Sequence, residues 1–252
     1  APNRSGNVVV ATGGGPLDDR RVTAAIIVRD PKLWSTNAPN LYDVVFELRK
    51  GGQVLDRVNS YFGFPEVATG NGRVVLNGRS MYLKLVLDQG YWPESLLTPP
   101  SDEAIKYDLQ MTKDMGFNGA RKHQKVGDPR YLYWADKMGL LVSGEIANAY
   151  LFDPEYVQDF TREWMETVER DYNHPSIIMW VPINESWGTE NLIGSAQQQN
   201  HLKAMYTLTK SLDPTRLVID NDGWEHTNMT DLMAIHEYSP GGADYSHDGF
   251  VM

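Results

Sequence analysis

The residues with the most chemical promise lie in one run, Ile177-Ile178-Met179-Trp180-Val181-Pro182-Ile183-Asn184-Glu185-Ser186-Trp187-Gly188. An apolar, strand-like stretch delivers an amide and a carboxyl side by side, with tryptophans flanking them. A carboxyl at a strand mouth among aromatics loses hydration, which raises its pKa and lets it hold a proton near neutrality. Such an acid can protonate the leaving oxygen of a glycosidic bond, while the neighbouring amide holds a sugar hydroxyl as charge develops. Trp180 and Trp187 offer flat faces on which sugar rings stack. The same run also suits a helix cap at Glu185 with two core tryptophans, so the pair alone leaves both readings open.

A site of this kind needs a frame, and the chain supplies two rhythms. Up to about residue 63 the runs Val8-Val9-Val10, Val22 to Val28, Tyr42 to Leu48 and Val54 to Tyr61 are short and rich in β-branched and aromatic residues. Glycine clusters separate them, and Phe46, Leu48, Val54 and Val58 fit a hairpin around Gly51-Gly52. This predicts a small antiparallel β-sandwich over residues 1–63. From residue 64 to 252 strands alternate with helices, which means a parallel sheet. The predicted strands are Met81 to Leu87, Asn118 to His123, Leu140 to Ile146, Ile177 to Ile183, Leu217 to Asp220 and Leu232 to His236. The helices between them carry start and stop signals: Ser101 before Asp102-Glu103, Gly116, Pro129, Gly139, Asp153-Pro154 and Asp213-Pro214.

Polar and aromatic residues gather at nearly every strand's carboxyl end, where a (β/α)8 barrel keeps its active site. They are Asp88, Arg121, His123, Glu145, Asn184, Glu185, Asp220, Asn221, His236, Glu237 and Tyr238. With Trp92, Trp187 and Trp224 as an aromatic floor, Asp88, Arg121, His123, Asn184, Asp220, Asn221, His236 and Tyr238 are candidate sugar contacts. Glu145 is expected either to tune Glu185 by like-charge repulsion or to pair with Arg121 or Lys122.

Composition narrows the partners. The 252 residues carry 23 Lys+Arg against 33 Asp+Glu, a formal net charge of −10, which excludes a basic nucleic-acid face. The absence of cysteine excludes disulfides, a thiolate nucleophile and Cys-based metal sites. His226, His236 and His247 lack a zinc-binding spacing, so no metal or other cofactor is expected. No Gly-x-Ser-x-Gly elbow and no phosphate loop appear; Gly13 to Gly15 is a turn. Without a long apolar run or a signal peptide the chain is expected to be soluble, with cytoplasm and exterior both open.

Seven short segments occur in one order: Leu33-Trp34-Ser35, Tyr61-Phe62-Gly63-Phe64, Leu76-Asn77-Gly78-Arg79, Met115 to Arg121, Leu140-Leu141-Val142, Asn173 to Ile177 and Asn184-Glu185-Ser186. Together, from roughly Lys32 to Tyr238, they resemble the family 2 glycoside hydrolases, the β-galactosidases, β-glucuronidases and β-mannosidases. The resemblance implies an immunoglobulin-like domain followed by a (β/α)8 TIM barrel and a retaining mechanism with two glutamates. It maps the general acid/base onto Glu185, the contact to the substrate 2-hydroxyl onto Asn184, and the arginine that supports the nucleophile onto Arg121.

Three departures mark a divergent member. The family's Arg-Gly-Val-Asn run after the first barrel strand is Lys84-Leu85-Val86-Leu87-Asp88-Gln89, and its Asp-Glu-Ala-Asn motif reads Gly144-Glu145-Ile146-Ala147-Asn148. The family's nucleophile follows a seventh strand, and six precede Met252. Glu237 resembles a nucleophile motif one strand early. On this count the barrel is incomplete, and its open edges predict a homo-oligomer. Two functions follow: a retaining β-glycosidase, or a fragment without the nucleophile that binds sugars, is inert, or hydrolyses esters adventitiously.

Overall fold

The computed structural model describes residues 27–238. The expected strands Val8-Val9-Val10 and most of Val22 to Val28 lie outside them. The described chain opens with a long hairpin, β1 (Tyr42–Lys50) against β2 (Gln53–Phe62), paired antiparallel with Phe46 opposite Val58. Gly51 and Gly52 take φ of +56° and +85°, the two left-handed positions of a two-residue turn. A three-stranded antiparallel sheet follows: β3 (Val67–Gly70), β4 (Arg73–Leu76) and β5 (Arg79–Met81).

The rest builds a partial TIM barrel. In chain order come β6 (Leu85–Leu87), α1 (Asp102–Asp114), β7 (Gly119–Arg121), α2 (Pro129–Met138), β8 (Leu141–Glu145), α3 (Pro154–Asp171), β9 (Ile177–Val181), β10 (Ile183–Asn184), α4 (Ala196–Leu212), β11 (Leu217–Val218) and β12 (Asn221–Asp222). Strands β6, β7, β8, β9 and β11 lie side by side in that order, all parallel. Pro182, which has no N–H, separates β9 from β10, and β10 pairs instead with β12, setting Asn184 beside Asp222.

Three of the described helices start at the expected signals, and the fourth at Ser195, which the sequence reading does not single out. Ser101, Asp128, Asp153 and Ser195 each accept a backbone N–H from the first turn. Side chains alternate across the sheet. Leu141 of β8 joins Met179, Val181, Leu217 and Ile219 in one buried cluster, plugged by Trp34, Val74 and Leu76. Val142, Trp180 and Val218 face the helices, against Ile105, Leu132, Phe160, Trp164 and Leu202. Gly144 on that outer face leaves room for the Trp180 ring.

Several expected boundaries shift. Met81 to Leu87 is not one strand: the chain leaves the antiparallel sheet at Met81 and enters the barrel at Leu85. Asn118 brackets the crossing, accepting from Lys84 N and donating to Tyr82 O, both at 2.8 Å. Leu232 to His236 forms no regular strand; backbone bonds from Asp231 N to Val218 O and from His236 N to Gly223 O fix its ends. The amino-terminal segment is tied to the far end of the barrel by Asp136, which accepts from Tyr61 Oη and Ser176 N and contacts His174 Nδ1 at 2.6 Å.

Candidate active site

Inward-facing positions at the carboxyl ends of β7 and β8 are polar: Arg121, Ser143 and Glu145. Arg121 is the hub. Its Nε lies 2.8 Å from Glu145 Oε1 and 2.7 Å from Asp222 Oδ2, one Nη donates to Asn184 Oδ1, and the other lies 3.1 Å from His236 Nε2. Glu145 also accepts from Ser143 Oγ at 2.9 Å and Gln124 N at 3.1 Å. Burial pushes its carboxyl pKa up, Arg121 pulls against that, and Asp222 pushes it up further.

Asn184 is buried, with its backbone N–H on Asn148 Oδ1 at 2.8 Å. Its Nδ2 has no hydrogen-bond partner among the described residues. Buried amides are normally satisfied, so this is a donor in want of an acceptor.

Beyond Asn184 the chain turns sharply. Glu185 and Ser186 both adopt left-handed backbone, φ +49° and +56°, which residues with a Cβ rarely do. Bonds from Glu185 N to Asp222 O and from Ser186 N to Asn221 Oδ1, each 2.9 Å, hold the turn. The turn presents the Glu185 carboxyl to His236 Nδ1 at 2.5 Å and to the Tyr238 hydroxyl, which donates at 2.8 Å.

This corrects the expected pKa of Glu185. Burial does act to raise it, but hydrogen bonds from His236 and Tyr238, with the charges of His236 and Arg121, hold the carboxyl below its ordinary value. Trp180, one of the two flanking tryptophans, is fully buried on the helix side, its Nε1 donating to Asp213. It offers no sugar platform. Trp187, 41% exposed, stands edge-on to Tyr150 at 5.2 Å between ring centres.

The remaining candidates divide. His236 and Tyr238 converge on Glu185, and Arg121 on Asn184. Asp88 pairs with Lys122 and lines a recess with Trp92 and Tyr131. His123 contacts Gln89; burial and Arg121 lower its pKa. Asp220 is wholly buried, facing His226 and accepting from Thr227 and Asn221 N, so it braces a loop. Asn221 braces the Ser186 turn. Trp224 is half-exposed and Glu237, beside His236, is half-buried. Asp222, buried against Arg121 and 3.5 Å from His236 Nε2, was not foreseen. The apolar pattern of the strand ends at Asp220, two residues short of the acid that stands opposite Asn184.

Comparison with known proteins agrees with this frame. The family model for the TIM barrel domain of glycosyl hydrolases family 2 matches residues 67–247, and a second family 2 model matches residues 3–64. A β-galactosidase of Vibrio vulnificus is 30% identical over 230 residues, and one of Psychromonas ingrahamii 33% over 234. Each alignment covers 87% of this chain but 21% of the relative, so the chain spans about a fifth of those proteins' length. The crystal structure of Parabacteroides merdae β-glucuronidase superposes with a TM-score of 0.77 at 21% identity, over 87% of this chain and 28% of that one. Barrel topology, the ordered motifs and a family model spanning most of the sequence place this chain in glycosyl hydrolases family 2.

Proposed function

We propose that the chain hydrolyses β-glycosides by the retaining route, with Glu185 as general acid/base, Asn184 binding the sugar hydroxyl next to the scissile bond, and Arg121 positioning both. The observation that carries this reading is the juxtaposition of Glu185 with the unpartnered Asn184 Nδ2 at one strand mouth. A sugar hydroxyl would supply the acceptor that amide lacks. Retention requires a second carboxylate about 5 Å from the first. Glu237 and Glu145 are the candidates for that role in this chain, and Glu145 is committed to Arg121, Ser143 and Gln124.

The relatives above are β-galactosidases and a β-glucuronidase, so both sugars belong in the assay. Residues 1–63 and 64–252 are proposed as the two domains, and self-association along the edge of β6 as the assembly. Among the described residues no helix is long and apolar enough to cross a membrane. Glu185→Gln is expected to lower turnover of 4-nitrophenyl β-galactoside or β-glucuronide by about 100-fold or more. An unchanged rate would sink the assignment, as would hydrolysis of aryl esters alone.

A further inference from the structure

The group that departs when Glu185 gives up a proton must rest beside that turn, and the surface there is aromatic and open. Trp187 follows Glu185 by two residues, and its backbone N–H closes the turn on Asn184 O at 3.0 Å. Tyr150, from the loop after β8, meets it edge-on, with ring centres 5.2 Å apart and planes at 88°. The two rings make a right-angled corner. Tyr150 is 77% exposed and Trp187 41%, with Leu151 exposed next to Tyr150 in the chain. Single exposed rings are ordinary, but a contiguous pair at a site mouth marks a ligand surface. The two loops follow β8 and β10. In the five-stranded sheet β8 is the middle strand and β9, which leads into β10, is its neighbour, so the corner is not at an edge that a further strand would cover.

Both rings stand on fixed supports. Asn148 pins the base of the first loop, donating to Pro182 O and accepting from Asn184 N, both at 2.8 Å. Gly188, at φ +78°, lets the second loop press on the first: a Cβ there would come 3.1 Å from the Tyr156 ring and 3.4 Å from Ala149 O. Rings set before a ligand arrives cost little ordering when it stacks on them. The chemistry of the corner decides the occupant. From Ile146 to Phe152 the chain carries no charged side chain. The polar side chains of the two turns are committed elsewhere: Asn148 as above, Ser186 Oγ to Glu225 at 3.0 Å and to Asn221 at 2.9 Å, and Thr189 Oγ1 to Ser186 O at 3.3 Å. A second sugar would need convergent donors and acceptors, whereas two ring faces suit a planar apolar group.

We propose that Tyr150 and Trp187 form the leaving-group subsite and that it selects planar aromatic aglycones, so that β-glycosides of phenols are the preferred substrates. The inference rests on the acid/base reading of Glu185, which sets the side on which the leaving group lies. The phenolic oxygen faces Glu185 while its ring stacks in the corner. Tyr150 and Trp187 act on affinity and orientation and carry no proton.

Binding of non-cleavable thioglycosides to the full chain, measured by calorimetry, tests the subsite without calling on hydrolysis. Phenyl β-thiogalactoside or phenyl β-thioglucuronide should bind about 10-fold tighter than its methyl counterpart. That margin should fall to about 2-fold or less in Trp187→Ala, shrink in Tyr150→Ala, and survive in Trp187→Phe, which keeps a ring. Both side chains are exposed, so neither truncation opens the core. Equal affinities for phenyl and methyl compounds in the parent chain, a margin unmoved by Trp187→Ala, or no binding by either pair overturns the subsite. A thio-linked disaccharide that outbinds the phenyl compound and loses its advantage in Trp187→Ala overturns the aromatic assignment in favour of a second sugar. A phenyl margin that depends on Trp187, in a chain that cleaves no aryl glycoside, leaves the subsite standing and overturns the acid/base reading alone.

Discussion

Two consecutive residues with side chains, Glu185 and Ser186, stand in left-handed backbone, a conformation costing on the order of 1–2 kcal/mol each. Trp187 N donates to Asn184 O at 3.0 Å across the turn, and Asn221 braces it from a distant strand. Its Oδ1 accepts from Ser186 N, and its Nδ2 donates to Ser186 Oγ at 2.9 Å and to Glu225 O at 2.6 Å. Asn221→Ala should therefore destabilise the fold by about 2 kcal/mol, because it strands a buried N–H in a strained turn. Urea unfolding measures this, and a loss under about 0.5 kcal/mol would show that the turn holds itself. At this scale residue type made Asn184 and Glu185 legible, since an amide and an acid closing an apolar strand stand out. The direction of the Glu185 pKa was not, because His236 and Tyr238 reach it from far along the chain. Asp220 and Asp222 look alike in sequence. The break between β11 and β12 turns one to His226 and the other to Arg121.

Helix ends were the most legible elements, because capping is a local matter of one side chain and a few N–H groups. Gly116 and Gly139 each stop a helix in left-handed backbone, φ +87° and +73°. They differ in what lies over them. A Cβ on Gly116 would meet nothing within 4 Å, whereas on Gly139 it would come 2.5 Å from Thr36 O. Gly116→Ala should cost only the conformational penalty, about 1 kcal/mol. Gly139→Ala adds a collision with backbone and should cost about 2 kcal/mol more. Paired thermal melts test the difference, and equal shifts would mean the segment around Thr36 yields freely. That contact joins residues far apart in sequence and leaves no periodic trace. Strand lengths were misread for a similar reason: Met81 to Leu87 is apolar throughout, but Asn118 divides it between two sheets.

For the whole molecule, acid pH should act first through a residue that takes no part in the candidate site. His201 of α4 sits among the rings of Phe152, Tyr156 and Phe160, with centroids 5.4–5.9 Å away, and its Nε2 has no partner among the described residues. Burial lowers its pKa to about 4. The unfolded chain binds this proton below about 6.5 and the folded chain only near 4, so protonation favours unfolding across that interval. The contribution is complete above pH 6.5 and falls away as the pH drops to 4, by roughly 3 kcal/mol in all. His226 and His236 have raised values and the opposite sign: their contribution is present at low pH and is lost as the pH rises through their folded values. Glu185 and Asp213, held low despite burial, lose theirs only once the pH falls below the ordinary carboxylate range. The window between 6.5 and 4 therefore carries His201 against a partly cancelling background, which a variant can subtract. His201→Phe keeps an aromatic ring in the cluster and removes the proton site. Its urea midpoint should fall less than that of the parent chain between pH 6.5 and 4, with the two curves diverging steadily toward acid. Parallel curves would place the acid sensitivity elsewhere and show that His201 takes up its proton without leaving the cluster.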